Sequence, residues 1–125
     1  MVNESSQESI NQYFIIERKI KHPYQGWVAI NQETSQKIAT NQELKKNDYR
    51  VLLYLLGSVE YENWLTLSQA KIANALEMKR SNVNASLKKL QEQGIIEKHG
   101  RANYRLSPQY GYKGKAKNLK KEVKL

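Results

Sequence analysis

The spacing of apolar residues predicts three helices in the middle of the chain. The first starts at Asn47 as N-cap and ends at Gly57, because apolar residues recur on one helical face at Tyr49, Leu52, Leu53 and Leu56. The second spans Ser68–Leu76, with Ser68 as its cap. The third spans Ser81–Gln93, with Ser81 as N-cap, and Gly94 ends it. Its apolar face is formed by Val83, Leu87 and Leu90.

After Gly94 the pattern changes to alternation, which is typical of strands. Ile95–Lys98 and Tyr104–Ser107 are predicted strands, and His99–Asn103 joins them in a hairpin with Gly100 near its tip. Tyr104, Ile95, Ile96 and Leu106 are expected to lie in the core.

The first third of the chain gives weaker signals. Residues 1–12 are polar and are expected to be a disordered lead-in. Tyr13–Ile20 and Trp27–Ile30 flank a turn with Pro23 and predict an N-terminal β-hairpin, or else two strands that pair elsewhere. A helix within residues 31–46 is only weakly indicated, and Ser58–Thr66 is expected to be a loop.

Two helices, a short break and a hairpin in this order predict an α+β fold: a winged helix-turn-helix with a three-helix core, a C-terminal β-hairpin wing and the N-terminal hairpin. A single domain over residues 13–112 is expected, followed by a basic tail over residues 113–125. This arrangement suits double-stranded DNA, because a helix fits the major groove and a hairpin can reach the adjacent backbone or minor groove.

The charge distribution supports a polyanionic partner. The net charge is +9, but residues 1–62 carry seven basic and eight acidic residues, whereas residues 63–125 carry fourteen basic and four acidic ones. The chain has no cysteine, and its two histidines have no metal-ligand spacing. No glycine-rich phosphate loop is present. We therefore expect no enzyme activity, no cofactor and no metal.

The pattern also bears on location. The longest apolar run, Val51–Leu56, has six residues, which is far too short to cross a membrane. The polar, acidic beginning of the sequence is unlike a signal peptide. We expect a cytoplasmic protein with no membrane partner.

The outward face of the third helix supplies the candidate DNA contacts. Asn82 is the candidate for base readout, because an asparagine amide can pair bidentately with adenine, although it could instead only assist capping. Asn84 is a second candidate or a phosphate contact. Arg80 could contact phosphate or read guanine. The remaining candidates on the turn and helix are phosphate anchors or small residues that permit close approach: Lys79, Ser81, Ala85, Lys88 and Lys89. In the wing, Lys98, His99 and Arg101 surround Gly100 and are expected to touch phosphates or a minor groove.

Residues 50–108 resemble winged-helix DNA-binding domains, and more narrowly the RepL-type plasmid replication-initiator family. The resemblance lies in an Asn-containing loop, the helix-turn-helix, a short wing, and a proline followed by a Lys-Gly element, here at Asn63, Ser68–Gln93, Ile95–Leu106, Pro108 and Lys113-Gly114. Two positions depart from the pattern, Ser107 before the proline and Ala85 on the helix. The resemblance implies origin binding and recruitment of host replication proteins.

Two alternatives remain open. A transcriptional regulator could use the same domain. A winged-helix module could instead bind protein, although such a module has no need for so basic a half. The apolar N-terminal segments are compatible with a homodimer or with an additional sheet.

Overall fold

The computed structural model describes residues 26–114. The elements follow in the order β1 (Ala29–Ile30), α1 (Gln32–Ala39), α2 (Lys46–Leu56), β2 (Trp64–Thr66), α3 (Gln69–Leu76), α4 (Arg80–Glu92), β3 (Ile96–Lys98), β4 (Asn103–Leu106) and β5 (Gly111–Tyr112). Helices α2, α3 and α4 pack against one another, and a three-stranded antiparallel sheet of order β2-β4-β3 lies beside them. The predicted helix-turn-helix and wing are therefore both present.

Helix α2 begins earlier than predicted and buries a different face. The helix starts at Lys46, because the Asp48 carboxylate accepts a hydrogen bond from the Lys45 backbone N–H at 2.9 Å and closes the first turn. Asn47 therefore lies within the helix and is not its cap. Val51, Leu52 and Leu55 face the core.

Part of the predicted stripe on α2 thus forms a second, more exposed apolar face. The side chain of Leu53 is 68% exposed, and Tyr49 is half-buried. The hydroxyl of Tyr49 donates to the carbonyl of Ile38 at the end of α1, at 2.8 Å. This face supports the weakly indicated N-terminal helix, which the structure confirms as α1.

A buried hydrogen bond joins α2 to α4. Asp48 is 7% exposed, and its Oδ1 accepts a hydrogen bond of 2.7 Å from the hydroxyl of Ser86. The core around it contains Val83, Leu87 and Leu90, as predicted. Because a buried polar group is costly unless it is paired, this bond fixes the register of α4 on α2.

The segment expected to be a loop, Ser58–Thr66, contributes an edge strand to the wing sheet. Trp64 pairs with Arg105 and Thr66 with Asn103, so the wing has three strands instead of two. A single 3-10 turn, Tyr61–Asn63, precedes β2 and contains two residues with positive φ, Glu62 and Asn63. Alternation over only three residues is too short to be recognised as a strand from the sequence.

Asn63 joins this turn to the last described strand. Its amide nitrogen donates to the carbonyls of Leu106 and Gly111, at 2.9 and 2.8 Å, and its Oδ1 accepts from the backbone N–H of Lys113 at 2.8 Å. The carbonyl of Lys113 accepts from the N–H of Glu62 at 2.7 Å. Lys113 and the buried Gly114 are thus held by the fold, although the sequence placed them in the basic tail.

Strand β1 pairs with β5 and forms a separate two-stranded sheet. Ala29 lies opposite Tyr112, and Ile30 lies opposite Gly111. The second predicted strand of the N-terminal hairpin therefore pairs with a distant segment, as the alternative interpretation allowed. Its proposed partner Tyr13–Ile20, the lead-in 1–12 and most of the tail lie outside the described residues.

Between residues 26 and 114, no helix combines the length and the apolar character that crossing a bilayer requires.

Candidate nucleic-acid interface

The two helices of the helix-turn-helix, α3 and α4, are joined by a short turn, and hydrogen bonds define where α3 begins and ends. Ser68 caps α3, since its hydroxyl accepts from the backbone N–H of Lys71 at 3.2 Å. The helix ends at Leu76, the next residue Glu77 has left-handed backbone angles, and the N–H of Met78 donates to the carbonyl of Ala73 at 2.9 Å. This is the Schellman arrangement, and it reverses the chain into α4.

Arg50 of α2 also binds the C-terminal end of α3. Its guanidinium donates to the carbonyl of Leu76, the last residue of α3, at 2.7 Å. A cation at a helix C-terminus also interacts favourably with the helix dipole. The first core helix therefore positions the turn that leads into the candidate recognition helix.

Helix α4 begins one residue before the predicted start. Lys79 is the N-cap residue with extended backbone angles, and its carbonyl accepts from the N–H groups of Asn82 and Val83. Ser81 lies in the first helical turn, so the prediction that it caps the helix is wrong. The chain enters the helix directly after the Schellman turn, and no side-chain cap is formed.

The N-terminal half of α4 presents the exposed face that the sequence predicted. Its exposed residues are Arg80, Ser81, Asn82, Ala85 and Lys88. The opposite face is buried by Val83, Ser86, Leu87 and Leu90. The outward face thus begins with the positively charged Arg80, continues with short side chains and carries a second positive charge at Lys88.

The two lysines of this helix are not equivalent. Lys88 is exposed, and the described residues offer it no ion pair. Lys89 is half-buried, and its ammonium lies 3.7 Å from the carboxylate of Glu92. The sequence treated them as a pair, but only Lys88 presents a charge without an acidic neighbour within bonding distance.

Asn84 is also constrained by a neighbour. It is half-buried, and its Oδ1 accepts a hydrogen bond of 3.2 Å from the amide of Gln69 at the start of α3. Asn82 is exposed and has no side-chain bond to the described residues. The two asparagines thus have different freedom to contact a base.

The wing tip is exposed and basic. The hairpin is closed by the N–H of His99, which donates to the carbonyl of Asn103 at 2.7 Å, and Gly100 has a φ of 131° that favours glycine. Lys98 and Arg101 are exposed on either side of it.

His99 belongs to a cluster on the outer face of the wing sheet. Its ring meets Trp64 edge-on with centroids 5.2 Å apart, and its Nε2 lies 3.6 Å from the carboxylate of Glu97. The guanidinium of Arg105 lies 5.6 Å from the Trp64 ring centroid, and its Nε donates to the carbonyl of Glu62. Arg105 therefore packs on this face, and His99 is held in the same cluster.

Two residues on α3 were missed by the sequence analysis. Gln69 contacts Asn84, and Lys71 is exposed on the first turn of α3. The available signal was their position directly after the Ser68 cap, since the helix before a recognition helix crosses the DNA backbone near its start. From residue 66 to residue 107 the chain carries eight basic and three acidic residues, which makes this whole region positive.

Residues 49–107 match the model of the Crp-like helix-turn-helix domain. The helix order, the turn and the antiparallel hairpin agree with it, and the fold is a winged helix. The match and this architecture together support a winged-helix DNA-binding protein. Across residues 26–114 no group of three or more potential metal ligands is formed.

Among solved structures, FixK2 from Bradyrhizobium japonicum is similar at 22% sequence identity and a TM-score of 0.47. The similarity covers 62% of this chain and 38% of that protein, so this chain spans less than half of its length. The comparison with curated proteins found no match.

Proposed function

We propose that the protein is a transcriptional regulator that binds double-stranded DNA in a sequence-specific manner, without enzyme activity, through α4 and the wing. The exposed face of α4 carries the proposal. It combines Asn82, whose side chain forms no hydrogen bond within residues 26–114, Ala85, which is small enough for close approach, and Lys88 one turn later. A helix of this kind can enter the major groove, where Asn82 pairs with a base edge and Arg80 and Lys88 reach phosphates.

The wing adds a second contact beside the helix. Lys98 and Arg101 are exposed at a tight hairpin, a shape that reaches a backbone or a minor groove. Lys79 at the turn and Lys71 on α3 extend the basic surface, and both are exposed. His99 and Lys89 have internal partners and contribute less.

Regulation is favoured over replication initiation. The resemblance to RepL-type initiators receives no support from the comparisons, whereas the Crp-like match favours the regulator that the sequence left as an alternative. Host replication proteins are accordingly not among the partners we propose.

Salt dependence tests whether the partner is DNA. If the surface neutralises six to eight phosphates, the logarithm of the binding constant for a duplex should fall against the logarithm of salt concentration with a slope of about −5 to −7. A flat response would refute DNA binding and favour the protein-interaction module.

Selection of bound duplexes from a random pool tests specificity and identifies the site. We expect a consensus, and two-fold symmetry in it would indicate a homodimer. Asn82→Ala should broaden the consensus at one position, because it removes a base contact and leaves the phosphate contacts in place. An unchanged consensus would refute the assignment of Asn82 to base readout.

The selected site then separates the two biological roles. Placed at a promoter that drives a reporter, it should make expression depend on the protein. If the reporter did not respond, and the site instead allowed an otherwise non-replicating plasmid to replicate, the initiator would be the correct interpretation.

A further inference from the structure

Two residues of α2 each form a hydrogen bond to a different helix of the helix-turn-helix. The Oδ1 of Asp48 accepts a bond of 2.7 Å from the hydroxyl of Ser86 on α4. The guanidinium of Arg50 donates to the carbonyl of Leu76, the last residue of α3, at 2.7 Å. Helices α3 and α4 are therefore connected through α2 as well as through the turn between them.

The chemistry of both bonds allows only one donor and one acceptor. A guanidinium can only donate and a carbonyl oxygen can only accept, while the Asp48 carboxylate accepts from the Ser86 hydroxyl. The second oxygen of Asp48 accepts from the N–H of Lys45 at 2.9 Å, so this side chain is fixed at both oxygens. Asp48 and Ser86 are both buried. Because each bond includes a charged group, both are stronger than bonds between neutral groups.

These two bonds limit the movement of α4 relative to the rest of the domain. Ser86 lies one turn after Asn82 and directly after Ala85, both of which are exposed. The side-chain surface of a helix lies about 5–6 Å from its axis, so a rotation of α4 by about 10° would move its exposed face by about 1 Å. The Ser86 bond opposes this rotation, and the Leu76 bond fixes the point at which the chain leaves α3.

A displacement of this size affects the two kinds of DNA contact differently. A hydrogen bond to a base edge is formed over a narrow range of about 2.7–3.2 Å, and a shift of about 1 Å breaks it. Lysine and arginine side chains are long and flexible and can follow a phosphate over the same distance. Sequence discrimination therefore depends on the position of α4 more strongly than binding to phosphates does.

We propose that Asp48 and Arg50 are positioning residues for sequence discrimination: they hold α4 where Asn82 meets a base edge. This inference rests on the proposed DNA binding through α4. Loss of either bond lowers affinity for the selected duplex more than affinity for an unrelated duplex. A purely structural role would lower stability and leave the ratio of the two affinities unchanged.

Arg50→Met tests the bond to α3, because it removes the donors and keeps a long side chain. The measured quantity is the ratio of affinities for the selected duplex and for an unrelated duplex of equal length, at one salt concentration. We expect this ratio to fall about tenfold, which is within the range that one base contact supplies. Arg50→Lys keeps a positive charge and a donor and should recover most of the ratio.

Tyr49→Phe is the matched control from the neighbouring residue of the same helix. The hydroxyl of Tyr49 donates to the carbonyl of Ile38 at 2.8 Å, so this variant also removes a hydrogen bond from α2, but to α1 instead of the helix-turn-helix. Tyr49→Phe and Arg50→Met should both lower the melting temperature, and only Arg50→Met should lower the ratio. Thermal unfolding identifies a temperature at which each variant is folded for the titrations.

Ser86→Ala is an independent test from α4, because it removes the bond to Asp48 and leaves Arg50 in place. It should also lower the ratio, and it keeps the inference testable if Arg50→Met does not fold. If the wild-type chain discriminates but the ratio is unchanged in these variants, or falls equally in Tyr49→Phe, the inference is wrong. If the wild-type chain binds no duplex or binds all duplexes alike, the proposed function fails together with this inference.

Discussion

The side chain of Asn63 forms three hydrogen bonds to backbone groups that are distant in the sequence. It is fully buried, it has a φ of 67°, and its three partners lie on or beside β4 and β5. An asparagine tolerates this left-handed conformation better than most residues, and its amide supplies both donors and an acceptor. Backbone conformation and hydrogen bonding therefore both favour this residue type here.

Replacement of Asn63 separates the contribution of its hydrogen bonds from that of its backbone conformation. Asn63→Gly keeps the backbone relaxed but leaves two carbonyls and one N–H unpaired, and we expect a loss of about 2–4 kcal/mol in the free energy of unfolding. Asn63→Ala should lose about 1 kcal/mol more because of the positive φ. Chemical denaturation measures both. Asn103→Ala, at an exposed asparagine on β4, is the control and should change stability little. An Asn63→Gly variant as stable as wild type would contradict this role.

Lys88 and Lys89 illustrate how one contact changes the expected effect of a charge. Lys88→Ala should weaken binding to all duplexes similarly and reduce the magnitude of the salt slope by about 1, because one phosphate contact is removed. Lys89→Ala should have a smaller effect, since Glu92 already lies 3.7 Å from the Lys89 ammonium.

Glu92→Gln tests the ion pair between Lys89 and Glu92 by removing its negative charge. It should raise duplex affinity and increase the magnitude of the salt slope, because it removes a negative charge and frees Lys89. Fluorescence titration over a salt series measures these changes. Equal effects of the two alanine variants would show that the ion pair does not persist in solution.

At the scale of elements, α3 and α4 end in the same motif with different residues. Glu77 and Gly94 both have positive φ, and each is followed by a residue whose N–H returns to a carbonyl of the last turn. Gly94 adopts this conformation at no steric cost, whereas Glu77 is strained. The glutamate is exposed and is not needed to make the turn.

The strain at Glu77 predicts a stabilising substitution. Glu77→Gly should raise the free energy of unfolding by about 0.5–1 kcal/mol, because the relief of strain exceeds the added flexibility of the unfolded chain. Gly94→Ala is the converse control and should lower it by about 1 kcal/mol, since no atom lies within 4 Å of the added Cβ and only backbone strain opposes it. Thermal or urea unfolding checks both. A loss of stability in Glu77→Gly would show that the side chain supports the turn.

Sequence patterns predicted the helix-turn-helix well because its signals are local. Ser68 before a run of helix formers and Gly94 after the periodic residues indicate boundaries within one turn of chain. The outward face of α4 follows from the same periodicity, so Asn82 and Lys88 are both exposed as expected.

The remaining features depend on contacts distant in sequence. Strand β2 is recognisable only from its pairing with β4, and the start of α2 is set by a carboxylate that also bonds to Ser86. The Gln69–Asn84 bond was missed for the same reason, because fifteen residues separate its partners. The pattern of apolar and polar residues along the chain does not show which distant residues will contact each other.

At the scale of the whole molecule, the fold includes Lys113 and Gly114, which the sequence assigned to the basic tail. The backbone of Lys113 bonds to Asn63 and Glu62, whereas residues 115–125 carry five lysines and one glutamate. A truncation after Gly114 should leave the thermal transition nearly unchanged and lower non-specific duplex affinity, because it removes a net charge of +4.

A second truncation, after Tyr112, is the matched comparison. It also removes Lys113, which bonds to Asn63 and Glu62, and should lower the melting temperature by several degrees. Differential scanning calorimetry and filter binding at low salt distinguish the two variants. Loss of the transition in the shorter truncation, after Gly114, would show that residues 115–125 pack on the domain.

The pairing of β1 with β5 brings the first and last described residues close together, which allows the domain to be circularly permuted. Ala29 and Tyr112 lie opposite each other, so a short flexible linker could join residue 114 to residue 26. A circular permutant with new ends between the exposed Gln42 and Glu43 would keep the helix-turn-helix and wing uninterrupted. The same proximity makes the domain suitable for insertion into a loop of another protein, where it would act as a portable DNA-binding module.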